Sequence, residues 1–359
     1  MTRITAALAR AHGAPMTLEE LELRAPRDGE IEVTMEAVAV CHSDIGYWEG
    51  GFGGAVPAVY GHEAAGRVSA LGPGVEGLEI GQRVVVTLIR ACGACATCGS
   101  GRPTLCRTPR RHPGPLTLPD GGEVNAEMDC GAFAERVVVE RGQCVAVPDA
   151  LGPAEACLLG CGVITGVASA VHAGGLRAGE DVVVIGAGGV GLNAIQGARI
   201  AGARRIVAVD LSEARLEDAR LFGATDVVLA SAAKPWRAAL RAMGRGADLC
   251  LVCAGAVAAY EDAMRYLAWG GRMVMVGMPH SGQMARYEPV VAAFTGQHML
   301  GAKLGDAVIQ RDIPWMADLY LQGRLKLSEL VSRSWSLAEI NEAFADTKAG
   351  GARRNVILF

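Results

Sequence analysis

Between Asp181 and Lys303 six short apolar runs, DVVVIG, RIVAVD, TDVVLA, ADLCLVCAG, RMVMVG and HMLGAK, recur with amphipathic segments between them. Runs without polar alternation are strands buried on both faces, and strands linked by crossover helices lie parallel. The pattern predicts an α/β fold with a doubly wound parallel sheet. At its first strand-to-helix turn Gly186, Gly188 and Gly191 form G-x-G-x-x-G. The first glycine permits a tight turn, the second lets backbone approach a pyrophosphate, and the third allows close helix packing. The helix N-terminus then offers N–H groups to phosphate. Asp210 closes the next strand, where a carboxylate accepts hydrogen bonds from ribose hydroxyls and repels a 2′-phosphate. The expected cofactor is therefore NAD rather than NADP, with Arg215 on the following helix either touching a ribose or lying on a solvated face.

The chain before this stretch differs in kind. Residues 1–160 are rich in Gly, Pro and short β-branched runs such as IEVTMEAVAV and RVVVTLI, the signature of strands joined by turns, and predict a β-rich barrel. The segment from 304 to 359 reads as helices followed by a final strand, NVILF, placed to rejoin that barrel. The expected division is thus 1–160 with 304–359, and 161–303. A length of 359 residues with 51% hydrophobic content suffices for two cores. The net charge of -4, without any block of like charge, argues against a nucleic-acid or anionic-membrane surface. Met1–Met16 lacks the apolar centre of an export signal and no run reaches membrane-spanning length, so the expectation is a cytoplasmic protein with small-molecule partners, no nucleic acid and no membrane.

Eleven cysteines, an odd number in a large chain without an export signal, point to thiols and metal rather than disulfides. Cys92, Cys95, Cys98 and Cys106 have the spacing C-x2-C-x2-C-x7-C, close enough for four thiolates to enclose one Zn²⁺. Such a site is tetrahedral and closed, hence structural. Its excess negative charge calls for peptide N–H groups, with Arg90 or Arg102 as further candidates. A redox C-x-x-C pair, an iron–sulfur site and a nucleic-acid-binding zinc ribbon are the competing readings. Elsewhere AVCHSD, VYGHEAAG and LLGCGVITG supply Cys41, His62, Glu63 and Cys161. Two thiolates and one imidazole leave a fourth zinc position for water or substrate. Cys130, Cys144, Cys157, Cys250 and Cys253 read as core filling.

CHSD, GHEAAG, the four-cysteine loop, GCGV, the glycine turn with Asp210 and the terminal GARRNVILF, in that order, resemble the zinc-containing medium-chain dehydrogenase/reductase family over nearly the whole chain. The resemblance implies a GroES-like catalytic domain with an inserted Rossmann domain, and two zinc ions per chain, one catalytic and one structural. Cys41, His62 and Cys161 would hold the catalytic zinc, Asp44 would orient His62, and Glu63 would lie behind the metal or bind it transiently. His42 and Arg354 would meet the cofactor pyrophosphate. A zinc there polarises an alcohol oxygen so that the carbinol hydrogen can leave as hydride to the nicotinamide. Ser43 would take the alcohol proton and pass it to a cofactor ribose hydroxyl. Many relatives end that relay in a histidine five residues after the first ligand; here that residue is Gly46, so the relay is expected to reach water beside the ribose. Trp48, Phe52, Leu88 and Phe133 fall where relatives line the substrate channel and imply a medium-sized alcohol, aromatic ones included.

The long Cys106–Cys161 connection and Arg110 lean toward the class III branch, which oxidises the glutathione adduct of formaldehyde. The acidic residues of that branch are missing, replaced by GGFGGAV. Adduct oxidation is therefore the lesser alternative. A nicotinoprotein with permanently bound NAD is another, and a non-catalytic zinc and nucleotide-binding protein a third. Relatives associate through the Rossmann edge, here Arg286 to Gly301, which makes a homodimer the first expectation and a tetramer the second.

Overall fold

The computed structural model describes residues 1–359 and divides into two compact units, Met1–Cys161 with Val308–Phe359, and Gly162–Ala307. Both boundaries fall slightly later than the sequence reading placed them. At the second, Gly305 has φ +67° and comes so near Ser169 that a Cβ would stand 2.5 Å from its backbone nitrogen. That approach ties the turn Leu304–Asp306 to the second unit.

In the first unit Thr2–Ala9, Thr17–Leu23, Leu116–Thr117, Glu123–Ala126 and Ala58–Val59 close a small barrel in that order. A second sheet runs Cys144–Ala146, Arg83–Thr87, Glu63–Leu71, Glu30–Val40, Arg354–Leu358, Val331–Ser336, with Arg136–Glu140 also paired to Glu30–Val40. Leu8, Leu21, Leu23, Ile31, Val33, Val84, Val86 and Phe133 are fully buried in one core. Each such large side chain contributes roughly 1.5–3 kcal/mol of transfer free energy.

Register decides what this sheet can carry. Asn355 lies opposite Val40, Glu63 opposite Ala39, and Thr87 opposite Glu63. Arg354, Cys41, His62 and Leu88 therefore gather at one end of four neighbouring strands. Helix Pro153–Leu158 packs across the strands Glu30–Val40 and Glu63–Leu71 and delivers Cys161 to the same end. Gly160 makes that delivery possible, since a Cβ there would stand 3.1 Å from Glu63 Cα and 3.0 Å from the Val86 carbonyl oxygen.

The second unit is an all-parallel six-stranded sheet in the order Asp226–Leu229, Arg205–Asp210, Asp181–Ile185, Ala247–Val252, Leu267–Met275, His298–Gly301. All six runs marked in the sequence are its strands. The order reverses at Asp181–Ile185, the switch point where such sheets open a ligand crevice beyond their carboxyl ends. Helix Gly189–Ile200 begins there. The next helix, Glu213–Phe222, is capped by the Ser212 side chain and stopped by Gly223 at φ +115°.

Candidate active site

Asp44 is fully buried and its carboxylate is fully engaged. Oδ2 accepts the Cys41 N–H at 3.0 Å, and Oδ1 accepts the Gly61 N–H at 3.0 Å and faces His62 Nδ1 at 2.9 Å. With Nδ1 as donor to Asp44, His62 turns Nε2 inward as an acceptor. Nε2 is buried and has no hydrogen-bond partner. Around it stand the thiols of Cys41 and Cys161 and the carboxylate of Glu63, the four ligand atoms lying within 4.8 Å of one another. An orphaned imidazole nitrogen between two thiols would be costly in a dry core, and is what a tetrahedral zinc with one replaceable ligand requires. The residues fit the metal.

Electrostatics at this cluster are strongly biased. The Cys161 hydrogen bond holds the Cys41 thiol well below its ordinary value against the opposing effect of burial, with His62 and Arg354 helping, while Cys161 is driven up as its partner. Burial pushes Glu63 up to about 8, with Arg354 opposing. Arg354 Nη1 is 3.4 Å from Glu63 Oε1, an ion-pair distance without hydrogen-bond geometry, and neither Glu63 oxygen has a hydrogen-bond partner. Arg354 is thus found beside Glu63, 5% exposed. Replacing Asp44 by Asn puts an amide donor against N–H groups that need an acceptor. The expected result is a 10–100-fold loss of zinc affinity at this site, read by competition with a chelator, with the other metal site unchanged.

Helix His42–Trp48 follows Cys41 directly and holds Ser43 half-buried and His42 exposed. Gly46, buried within it, faces the Phe52 ring so closely that a Cβ would lie 2.3 Å from Cε2. Phe52 thus fills the room a side chain at 46 would need, and stacks edge-on against Tyr47 at 5.5 Å. Trp48 and Phe133 take another direction. Trp48 donates its indole N–H to the Ala14 carbonyl at 2.8 Å, and both rings pack edge-on against Phe344, Phe133 with no exposed surface. Leu88 is half-buried beside His62 in the register described above.

Cys92, Cys95, Cys98 and Cys106 also bring their sulfurs within 4.8 Å of one another, and no cysteine of the chain is in a disulfide. Backbone N–H groups of Cys92 and Cys95 donate to Cys106 Sγ at 3.4 Å and Cys92 Sγ at 3.3 Å, and the Thr108 hydroxyl reaches Cys92 Sγ at 3.1 Å. Hydrogen bonds from Thr97 and from the Cys98 N–H pull Cys95 down to about 5. Sulfurs so supplied with donors suit a closed zinc site. Arg90, considered above as a counter-charge for it, instead pairs with Glu140 at 3.2 Å and Asp129 at 3.5 Å. Arg110 pairs with Asp129 at 3.2 Å.

Along G-x-G-x-x-G the three glycines sit in different surroundings. Gly186 has φ +93° and Gly191 touches the Gly186 carbonyl, where a Cβ would stand 1.8 Å from the oxygen. A Cβ on Gly188 would meet nothing within 4 Å, so the space beside it is open. Asp210 is buried, its Oδ2 accepting the Ala187 N–H at 2.7 Å and Oδ1 the Ser212 N–H at 2.9 Å, so it braces the turn. Arg215 is half-buried in the helix Glu213–Phe222, where its N–H meets the Ser212 hydroxyl at 3.4 Å.

Residues 27–149 match the alcohol dehydrogenase GroES-like domain, and residues 189–322 match the zinc-binding dehydrogenase family. The NDMA-dependent alcohol dehydrogenase of Amycolatopsis methanolica is 36% identical, covering 98% of each chain. The probable S-(hydroxymethyl)glutathione dehydrogenase 1 of Schizosaccharomyces pombe is 32% identical over 99% of this chain and 97% of its own. The crystal structure of benzyl alcohol dehydrogenase from Acinetobacter calcoaceticus covers 100% of both chains with a TM-score of 0.94 at 30% identity. The chain belongs to the zinc-containing medium-chain dehydrogenase/reductase family. Within it the chain is an enzyme of the alcohol dehydrogenase kind, a zinc-dependent oxidoreductase with a GroES-like catalytic domain and a Rossmann domain.

Proposed function

We propose that the chain oxidises a medium-sized, largely apolar primary or secondary alcohol to its aldehyde or ketone with NAD, and runs the reverse reduction. The observation that carries this reading is the partnerless, buried Nε2 of His62 between Cys41 and Cys161. A zinc bound there supplies Lewis acidity toward the alcohol oxygen, and the four-cysteine lobe holds a second, structural ion. Asp44 fixes the His62 ring, Ser43 receives the hydroxyl proton, and Gly46 leaves that proton to pass to a cofactor ribose and water. Phe52 and Leu88 form the apolar wall, whereas Trp48 and Phe133 serve the core around Phe344. Asp210 favours NAD over NADP, the glycine turn binds the pyrophosphate, and His42 and Arg354 are cofactor contacts only as the family resemblance implies them.

Oxidation of a glutathione adduct is less well supported, because Arg110, the residue that would take the adduct's carboxylate, already faces Asp129 at 3.2 Å. The relative named for its dependence on NDMA favours a second reading, in which NAD stays bound and is recycled by an external electron acceptor. Assembly into a homodimer, or further into a tetramer, would cover the edge strand His298–Gly301 and its exposed neighbours Trp269, Val290 and Phe294. No helix is long and apolar enough to cross a membrane; a cytoplasmic location completes the reading.

An alcohol and aldehyde panel with NAD(H) and NADP(H), run after bound cofactor has been quantified, tests it. Benzyl alcohol or hexanol turned over with added NAD, and at least tenfold less efficiently with NADP, is the expected outcome. Stoichiometric NAD in the purified protein with no dependence on added NAD selects the second reading. Preference for S-(hydroxymethyl)glutathione over every simple alcohol defeats the first.

A further inference from the structure

The stretch GGFGGAV is neutral in sequence, yet the fold places a carboxylate against it. Glu127 comes from a turn far along the chain, and its Oε2 stands 2.8 Å from the point a Cβ on Gly54 would occupy. Gly54 has φ +103° and lies on the exposed side, while Glu127 beneath it is only 9% exposed. Tyr47 Cδ1 is 3.6 Å from the same point, and Tyr47 stacks on Phe52, which covers Gly46 in the helix that follows Cys41. Packing contacts therefore link Gly46, in the helix that follows Cys41, through Phe52 and Tyr47 to the place where Glu127 meets Gly54.

The turn is built to hold that carboxylate rigidly. Asn125 Nδ2 donates to Oε2 at 2.6 Å and the Met128 N–H to Oε1 at 3.2 Å, so each oxygen keeps a lone pair in reserve. Met128 and Asp129 both have positive φ, +53° and +58°, a conformation non-glycine residues seldom adopt twice in succession. Three clamps fix it: Arg110 and Arg90 on the Asp129 carboxylate, and Gln143 Nε2 on its carbonyl at 3.0 Å. Burial pushes Glu127 up from the ordinary carboxylate range, with Asp129 and Asp44 adding to it. A cation beside it would relieve both effects.

We propose that Glu127, with Asn125, forms a distal subsite that recognises a primary ammonium group carried by the alcohol substrate. The proposal rests on the alcohol-oxidation reading and deepens it: an apolar wall ending in a fixed carboxylate selects an amino alcohol over its hydrocarbon counterpart. Glu127 is a specificity-determining residue here and takes no part in proton or hydride transfer.

Steady-state kinetics of the zinc-loaded enzyme on matched pairs decide it, 1-hexanol against 6-amino-1-hexanol and benzyl alcohol against 4-(aminomethyl)benzyl alcohol. Wild type is expected to prefer the amino member of each pair. Glu127→Gln, which keeps shape and an acceptor for Asn125, should lower kcat/KM for the amino alcohols about 10–100-fold, mainly through KM, and leave the plain alcohols within about threefold. Equal losses on both members, or a preference untouched by E127Q, overturn the proposal. If wild type oxidises plain alcohols without preferring the amino members, the subsite is wrong and the reaction reading stands. If wild type oxidises neither, that reading fails, and calorimetric binding of 6-amino-1-hexanol to wild type but not to E127Q remains the independent test of the subsite.

Discussion

Cys41→Ala should leave a folded protein that retains the metal of the four-cysteine lobe, loses the other, and turns over alcohol at least about 10³-fold more slowly. The size follows from the loss of several kcal/mol of charge stabilisation at the reacting oxygen, each 1.36 kcal/mol being about tenfold in rate. His62 and Cys161 alone cannot supply three ligands, and Glu63 is drawn toward Arg354, at 3.4 Å. Metal analysis per chain together with kcat separates this outcome from unfolding. Full metal content with lost activity would mean that the cluster of Cys41, His62, Glu63 and Cys161 is not the catalytic zinc site.

Two alanine substitutions five and two residues after Gly186 should behave in opposite ways. Gly191→Ala forces a methyl to within 1.8 Å of the Gly186 carbonyl oxygen, and backbone on both sides cannot yield. A cost of about 3 kcal/mol or more is expected, lowering Tm by roughly 6–12 °C in a domain of this size. Gly188→Ala meets nothing within 4 Å and should leave Tm unchanged while raising KM for NAD more than tenfold, because the methyl occupies the phosphate cradle. Thermal scans paired with cofactor titration check both. A normal Tm for G191A, or unaltered NAD binding by G188A, would contradict the roles assigned to these glycines.

Much of the fold could be read directly from the chain, and the reason is local. Parallel strands buried on both faces write unbroken apolar runs, and the glycine turn is legible because backbone contacts leave no choice of residue. The residues of the two clusters were legible by type and separation, although Cys41 and His62 meet only through strand register and Cys161 reaches them from a helix packed across those strands. What escaped depends on where side chains point. Trp48 and Phe133 pack edge-on against Phe344, and nothing in their neighbourhoods in sequence says so. Glu127 escaped for the same reason: it follows an ordinary strand, and only the tertiary path lays it under Gly54. Phe52 over Gly46 is a complementary case, in which the glycine was visible and the ring that fills its space was not.

The pairing of Asn355 with Val40 also sets an order of events during synthesis. Cys41, His62 and Cys161 are made early, but the strand that brings Arg354 to Glu63 is made after the whole intervening unit. Until then Glu63 would be held in an apolar sheet without its counter-ion, and the Ala37–Val40 end of the strand Glu30–Val40 would expose an unpaired edge, its other half being paired already to Arg136–Glu140. Such an edge is a template for pairing with other chains. The inserted unit has its own core and local parallel crossovers, so it can complete its fold while the catalytic half waits. Recombinant yield should therefore be governed by how long that half-built sheet stays open, and a chaperone that shields exposed strands is the factor most able to raise it.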